Sequence, residues 1–557
     1  VKASILPLSS RQWIKGYTRF RQQLNSRRNY ALRAGFWVAL ALVTGLALAT
    51  LPLTWAGAAL IGTLFTIAIL VQSHLALYLL PFAVPLGPRL ALPIGGFGAG
   101  ALEIGLGLGV VAWLARAVIE SRGVEAQRGG LSYPSAHPLP CAPAFLLFLG
   151  TLMLSLLVAR ALEPALKEVV KWWEALIAYV LVARLIRTPR QAGWLVAAIL
   201  LAGATEAVFG LSDAIRQIGP PSYAILGGRF FRASGDFGQP NPFGGYMNMV
   251  WPLAASLLLF MVAATQTGRG RTRTNADESN LPRSSAAIRV PSCSPRAGLP
   301  DSLRLAAMGS LLAILLAALV LSWSRGAWLG AAAGGVVLVI GWLLAMLKSP
   351  RGSRWVIGLV VSGSMALIVA LLAGVVNPPA SVQGRVESIT DFFGGFDVES
   401  IEVTDDNFAT VERVAHWVAA WRMWADHPWL GVGIGNYAEA YPRYRLTRWE
   451  DPLGHAHNFY FNIGAETGLI GLLAYFSFLI VAAGHAARVA RRVPDGLPRG
   501  VATGVLVVLL ATAVHNLFDN LYVHGMAVHL GLLLGSVTAL ETIYGTKPLA
   551  GSPGLNG

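Results

Sequence analysis

The chain has 557 residues, of which 55% are hydrophobic and only 13% charged, with a mean hydropathy of +0.58. That composition excludes an ordinary soluble domain. A net charge of +15 would suggest nucleic-acid binding in a soluble protein. Here the positive residues sit in short loops and tails between apolar runs and no nucleic-acid motif is present, so the charge reads as topogenic.

Residues 1–33 form a basic tail with Arg11, Lys15, Arg19, Arg21, Arg27, Arg28 and Arg33. The apolar run after it is long enough to span a bilayer and reads as an uncleaved first helix, not a signal peptide. Apolar runs near or above spanning length then recur, predicting about 14 helices. They lie near 34–52, 54–72, 74–93, 98–117, 142–159, 169–186, 193–213, 243–264, 304–322, 326–347, 355–375, 459–483, 500–517 and 523–543. The alternating pattern of a closed barrel is absent, so helices must satisfy the backbone in lipid. The expected fold is an all-α polytopic membrane protein of about 12–14 transmembrane helices with a large external helical loop.

Lysine and arginine set the expected orientation. Arg116, Arg122 and Arg128, then Arg184, Arg187 and Arg190, then Arg269, Arg271 and Arg273, then Lys348, Arg351 and Arg354, and last Arg488, Arg491, Arg492 and Arg499 all fall on the side of the N-terminus. The positive-inside rule places both termini in the cytoplasm. The chain then divides into the basic tail (1–33), an N-terminal transmembrane region (34–264), a cytoplasmic disordered loop (265–303), further transmembrane helices (304–375), an external loop domain (376–458), C-terminal transmembrane helices (459–543) and a cytoplasmic tail (544–557). Cys141 and Cys293 both fall on the cytoplasmic side, which argues against a structural disulfide. Within the external loop, Val411–Ala425 has helical spacing, with Val414, Trp417, Val418 and Trp421 on one apolar face. Asp426-His427-Pro428 ends it, and Gly431, Gly433 and Gly435 follow in a flexible or tightly turned passage.

The polar residues that interrupt the apolar text fall on one face, outside the cytoplasm. Arg232 lies in a glycine-bearing loop before the span near Phe243, with Asn241 between Pro240 and Pro242. A helix N-terminus with an arginine beside it suits phosphate; a re-entrant loop touching lipid headgroups is the alternative. Arg325, in Ser324-Arg325-Gly326, occupies a very short turn between two spans. Its planar fork suits phosphate oxygens, against the alternative of a snorkelling arginine.

His455 and His457 precede the span near Phe459. Their spacing suits metal ligands, but no nearby group completes a familiar set, so no metal is expected and a neutral imidazole serves better as a general base. Glu466 lies about 13 Å beyond His457 along a helix and is too far to orient it directly. As an acid in an apolar run it is expected to be paired. His515, Asn516, Asp519 and Asn520 cluster at the external end of the penultimate span, near His524; they line the same cavity or, on the preferred reading, cap helices. Arg385 and Arg413 are further phosphate or sugar contacts, and His416 is assigned to the cap helix.

Four segments together resemble the O-antigen ligase and polymerase superfamily. They are Arg232 to Asn241; Ser324-Arg325-Gly326; His416-Trp417 with Asp426 to Tyr437; and His457-Asn458-Phe459-Tyr460 with Glu466-Thr467-Gly468. The resemblance covers roughly residues 230 to 475. It implies an inner-membrane glycosyltransferase of GT-C type, which moves a glycan from undecaprenyl diphosphate to an acceptor outside the cytoplasm. That acceptor is a lipid A core sugar in ligases, a lipid-linked repeat unit in polymerases and a protein hydroxyl in related oligosaccharyltransferases. Carried over by motif, Arg232 and Arg325 would hold the donor diphosphate and His457 would activate the acceptor, in an inverting, metal-independent reaction. No cofactor is expected, and a monomer is the default because one chain can assemble the site. Asn241, Ser324, Arg385, Arg413, His455, Asn458, Glu466 and His515 would support them. Some superfamily members carry inorganic-carbon-transporter labels, so a transporter of a small anion such as bicarbonate, using Glu103 and Glu206 within the membrane, is the competing class.

Overall fold

The computed structural model describes residues 52–87, 92–94, 97–127, 138–225, 228, 230–277, 300–347, 398–404 and 407–545, with isolated positions between 35 and 46. The chain divides into two units, Val1–Ser73 and His74–Gly557. The first contains α1 (Leu53–Val71). The second contains α2 (Leu75–Leu86), α3 (Ala101–Gln127), α4 (Ala142–Ser155), α5 (Leu162–Leu185), α6 (Pro189–Arg216), α7 (Pro240–Asp277), α8 (Asp301–Leu321) and α9 (Arg325–Leu347). It continues with α10 (Phe408–Asp426), α11 (Tyr437–Tyr444), α12 (Phe459–Arg492), α13 (Leu497–His515) and α14 (Met526–Tyr544). Among the described residues strands are confined to two short antiparallel pairs, Leu92–Ile94 with Phe97–Ala99 and Ala224–Ile225 with Phe230–Phe231. The protein is an all-α polytopic membrane protein.

Among the described residues eight helices are long and apolar enough to cross a membrane: α3, α6, α7, α8, α9, α12, α13 and α14. The apolar helices α2 and α4 are shorter, at 12 and 14 residues. The span expected near 355–375, Arg385, the tail 1–33 and Cys293 lie outside the described residues. The segment expected to leave helix at residue 265 stays helical to Asp277, because its polar residues include no proline to stop α7.

α14 is the buried axis of the second unit. Every residue from Met526 to Leu540 is buried, and its main partner is α5. Gly531 and Gly535 make that approach possible: a Cβ on Gly531 would lie 2.2 Å from the Ala175 carbonyl oxygen, and one on Gly535 2.6 Å from Val182. Small residues four apart let two helices close to backbone contact where lipid supplies no hydrophobic drive. Gly504 does the same between α13 and Leu253 of α7.

α12 is broken at Gly468, whose φ of 66° and ψ of −167° are not helical. The break frees two carbonyls and two amides, and the glycine turn after α10 takes all four. Val432 N–H and Gly433 N–H donate to the Ala465 and Glu466 carbonyls, each at 2.9 Å. Leu469 N–H and Ile470 N–H donate to Pro428 and Trp429 carbonyls at 2.7 and 3.4 Å. The turn is tight: Gly431, Gly433 and Gly435 all have positive φ. Its far side is fixed to the α4–α5 connection, where Asn436 Oδ1 accepts from Ala161 N–H at 2.7 Å and its Nδ2 donates to the Ala161 carbonyl at 3.0 Å.

α10 forms as expected and ends at Asp426, but buries a different face. Val411, Ala415, His416, Ala419, Ala420 and Met423 turn inward, whereas Trp421 is 55% exposed and Val414, Trp417 and Val418 are half-buried. Alanines let α10 approach α11 and α12 more closely than tryptophans would.

Gly468→Ala is expected to destabilise the protein by about 2 kcal/mol or more, since a Cβ would meet the Trp429 backbone at 2.2 Å in a conformation open essentially to glycine. Equilibrium unfolding in mixed micelles would measure this; wild-type stability in the variant would contradict the account of the break.

Candidate active site

His457 lies at the head of α12. Asn458 caps that helix, its Oδ1 accepting from Tyr460 N–H at 3.0 Å and Phe461 N–H at 3.1 Å. Phe459 N–H reaches the Asn516 and Asp519 carbonyls at 2.9 and 3.1 Å, tying the start of α12 to the α13–α14 connection. His457 itself adopts φ +50°, sparsely populated for a side chain of its size. Its N–H donates to His455 Nδ1 at 3.1 Å, and its carbonyl accepts from Trp417 Nε1 at 3.4 Å. Its Nδ1 is 3.6 Å from Asp519 Oδ1, an ion-pair distance longer than the roughly 2.9 Å of a good hydrogen bond. Neither ring nitrogen makes a hydrogen bond among the described residues.

Burial by itself would raise the Asp519 carboxyl, but His457, His455 and Arg413 together hold it well below the usual carboxylate range. It is an anion in a nest of cationic and imidazole groups. Burial, with an electrostatic contribution from the neighbouring His457, depresses His455 to about 3 and His416 to about 4. Both rings are therefore neutral at pH 7. The Tyr437 hydroxyl donates to the His416 carbonyl at 3.2 Å and lies 3.0 Å from its Nδ1. His416 stacks on Tyr441 with centroids 4.9 Å apart and meets His457 edge to face at 5.9 Å.

His455, His457 and Asp519 offer three ligand-type atoms within 4.8 Å of one another. The donor set is of a type that binds zinc, but the hydrogen bonding opposes it. His455 Nδ1 accepts the His457 N–H, so the proton of the neutral ring sits on Nε2. Coordination through His455 would require a change of tautomer or loss of that bond. The trio fits an oriented imidazole better than a metal centre.

The two arginines are anchored at the same end of the bundle. Arg232 Nε donates to the Ser322 carbonyl at 2.9 Å and its Nη2 to Asn241 Oδ1 at 2.8 Å. Ala233 N–H donates to the Leu321 carbonyl at 2.8 Å, so the Arg232 loop lies against the α8–α9 corner. Arg325, only 7% exposed, donates from Nη1 to Thr410 Oγ1 at 3.1 Å, on the first turn of α10. The next turns of α10 carry Arg413 and His416. Ser324 caps α9, its Oγ 3.4 Å from Ala327 N. Gly326 lies flush on His515, where a Cβ would meet Cδ2 at 2.5 Å. His515 Nδ1 is 3.5 Å from Asn248 Nδ2.

The structure thus brings His455, His457 and Asn458 into one cluster, with Arg413 in electrostatic reach, and links Arg325 to it through α10 and Arg232 to Arg325 through the Ser322–Ser324 corner. Glu466 is directed elsewhere. Its Oε1 accepts from Tyr437 N–H at 3.1 Å, so it is paired with backbone and holds the glycine turn. Asp519 is the partner of His457 that the sequence reading assigned to helix capping, and Thr410 is one it did not name. His416 belongs to the cap helix as expected, yet also faces His457.

The depressed histidines imply an acid-labile site. The unfolded chain takes up protons at His416 and His455 near pH 6.5, whereas the native site resists them until about pH 4 and 3. Their contribution is fully present above about pH 6.5 and is lost as pH falls toward 4. The thermal midpoint in detergent is expected to fall between pH 7.5 and 5, and to fall less in His416→Asn. An equal drop in both proteins would remove His416 from this account.

A search of curated proteins gave no match. Residues 310–476 match the family model described as O-antigen ligase. That stretch holds Ser324, Arg325, Thr410, Arg413, His416, His455, His457 and Glu466, whereas Arg232, Asn241, His515 and Asp519 lie outside it. Over this stretch, under a third of the chain, the protein is similar to O-antigen ligase domains, which supports membership of that superfamily.

Proposed function

We propose that this membrane protein, of ligase or polymerase type in general, transfers a glycan from undecaprenyl diphosphate to a hydroxyl of a membrane glycolipid, such as a lipid A core sugar. The observation that carries the reading is the placement of His457 beside ionised Asp519, with Arg325 held on the helix that carries Arg413 and His416. In this mechanism His457 Nε2 takes the proton of the acceptor hydroxyl as its oxygen attacks the anomeric carbon. The bond from that carbon to the phosphate oxygen breaks in line, so the configuration inverts. The leaving diphosphate gains negative charge, which Arg232 and Arg325 stabilise without a metal. Asp519 is a positioning residue that orients the imidazole and supports its charged form. A monomer in a bacterial inner membrane, with the site on the external face and both termini in the cytoplasm, fits this reading. A repeat unit on a second lipid carrier or a protein hydroxyl are the alternative acceptors.

The transporter alternative depended on Glu103 and Glu206 as intramembrane carriers. Glu103 Oε2 accepts from Gly100 N–H at 2.6 Å, at the exposed start of α3. Glu206 Oε1 accepts from Asp236 N–H at 2.8 Å and supports the turn after Arg232. Both contacts are those of backbone-capping acids and favour the enzyme reading.

With a synthetic undecaprenyl-diphosphate donor, wild-type product should form in EDTA. His457→Ala should reduce turnover by about 10²-fold or more. Asp519→Asn should lower kcat by about 10²-fold with little change in acceptor KM, as expected of a group that acts through the base. Turnover retained in His457→Ala would remove the base, and absence of transfer to any acceptor by folded wild type would overturn the enzyme reading.

A further inference from the structure

A second polar site lies beside the catalytic cluster. A cleft of about 170 Å³ opens between the α4–α5 connection and the 427–444 segment. Arg160 faces it from one wall; His427, Asn436, Glu439, Arg443 and Tyr444 face it from the other. Arg160 and Arg443 are exposed, and neither forms an ion pair among the described residues. Arg160 and Arg443 thus line one cleft from opposite walls, with Tyr444 in the same lining.

The walls are held by close backbone packing and by side chain–backbone hydrogen bonds. Gly433 lies against Ala159, where a Cβ would be 2.4 Å from Cα, and Ile434 N–H donates to Ser155 Oγ at 3.2 Å. Asn436 clamps Ala161 from both sides. The cleft is also wired to the base. Asn436 lines it, and the next residue, Tyr437, turns inward to His416, which contacts His457.

We propose that this cleft binds the phosphate-bearing sugar headgroup of the acceptor glycolipid. The inference rests on the glycosyl-transfer reading and names a feature of its acceptor. Two guanidinium forks lining one cleft from opposite walls suit a phosphate monoester. Glu439 and the Tyr444 hydroxyl beside them suit sugar hydroxyls, which a site for a bare anion would not need. A headgroup held there leads along the Asn436–Tyr437 wall toward His457.

The test is equilibrium binding of the full chain in detergent to a short-chain glucosamine 1-phosphate glycolipid, to the same lipid without phosphate, and to inorganic phosphate. The phosphorylated lipid should bind at least tenfold more tightly than the other two, and R160Q/R443Q should abolish that preference without affecting undecaprenyl diphosphate binding. Equal binding of the two glycolipids by wild type, or a preference that survives in R160Q/R443Q, would overturn the proposal. Inorganic phosphate binding as tightly as the glycolipid would also overturn it, by making the cleft a site for the free anion. Donor binding to Arg232→Ala, measured in parallel, tests the catalytic reading by itself, so the two can fail separately.

Discussion

A helix that breaks inside apolar surroundings must find new partners for the backbone groups it releases, because lipid offers none. In α12 the release at Gly468 and the uptake by the Pro428–Gly433 turn match bond for bond. That exchange ties the cap helices α10 and α11 to the transmembrane bundle. It fixes Tyr437 under His416, and hence His416 beside His457. Glu466, the acid in the broken stretch, adds its carboxylate to the same turn at Tyr437 N–H. The position of the candidate base thus follows from a requirement of the backbone, and the aromatic and imidazole contacts refine it.

The electrostatics complement this geometry. Three imidazoles meet at the head of α12, and two of them are kept neutral by burial and by the third. Asp519 stays ionised in a buried position because the surrounding imidazoles and Arg413 outweigh its desolvation. Arg325, nearly buried, is held toward the cap helix by the Thr410 hydroxyl.

Much of this was legible in sequence. Apolar runs located the spanning helices because length and hydropathy are local properties. Pro428 after α10 gave a helix limit for the same reason, whereas the capping role of Asn458 emerged only from the structure. The grouping of Arg232, Arg325 and His457 at one end followed from counting spans. Asp519 was seen as polar and external, but its pairing with His457 joins residues 62 positions apart across a helix turnaround and leaves no periodic signal. The inward face of α10 was misassigned because hydrophobicity favoured its tryptophans, whereas close packing in the cluster that includes Ala465 of α12 favoured Ala419 and Ala420. The gap-closing roles of Gly431, Gly433 and Gly468 depend on which backbone lies opposite, which no spacing rule encodes.

The pairing of His457 with Asp519 also sets an order of assembly. Membrane helices insert as they are synthesised, from the N-terminus onward. Arg232, Arg325 and His457 are all in place before the α13–α14 hairpin exists, but His457 then has no carboxylate and α12 lacks the Asn516 and Asp519 carbonyls that hold its first amide. α14 must then slide its Gly531 and Gly535 against α5, made more than 340 residues earlier, before the hairpin can settle. Closing the bundle and completing the His457–Asp519 pair are a single event. A nascent or truncated chain that stops before the α13–α14 connection therefore lacks this pair however well its earlier helices have inserted.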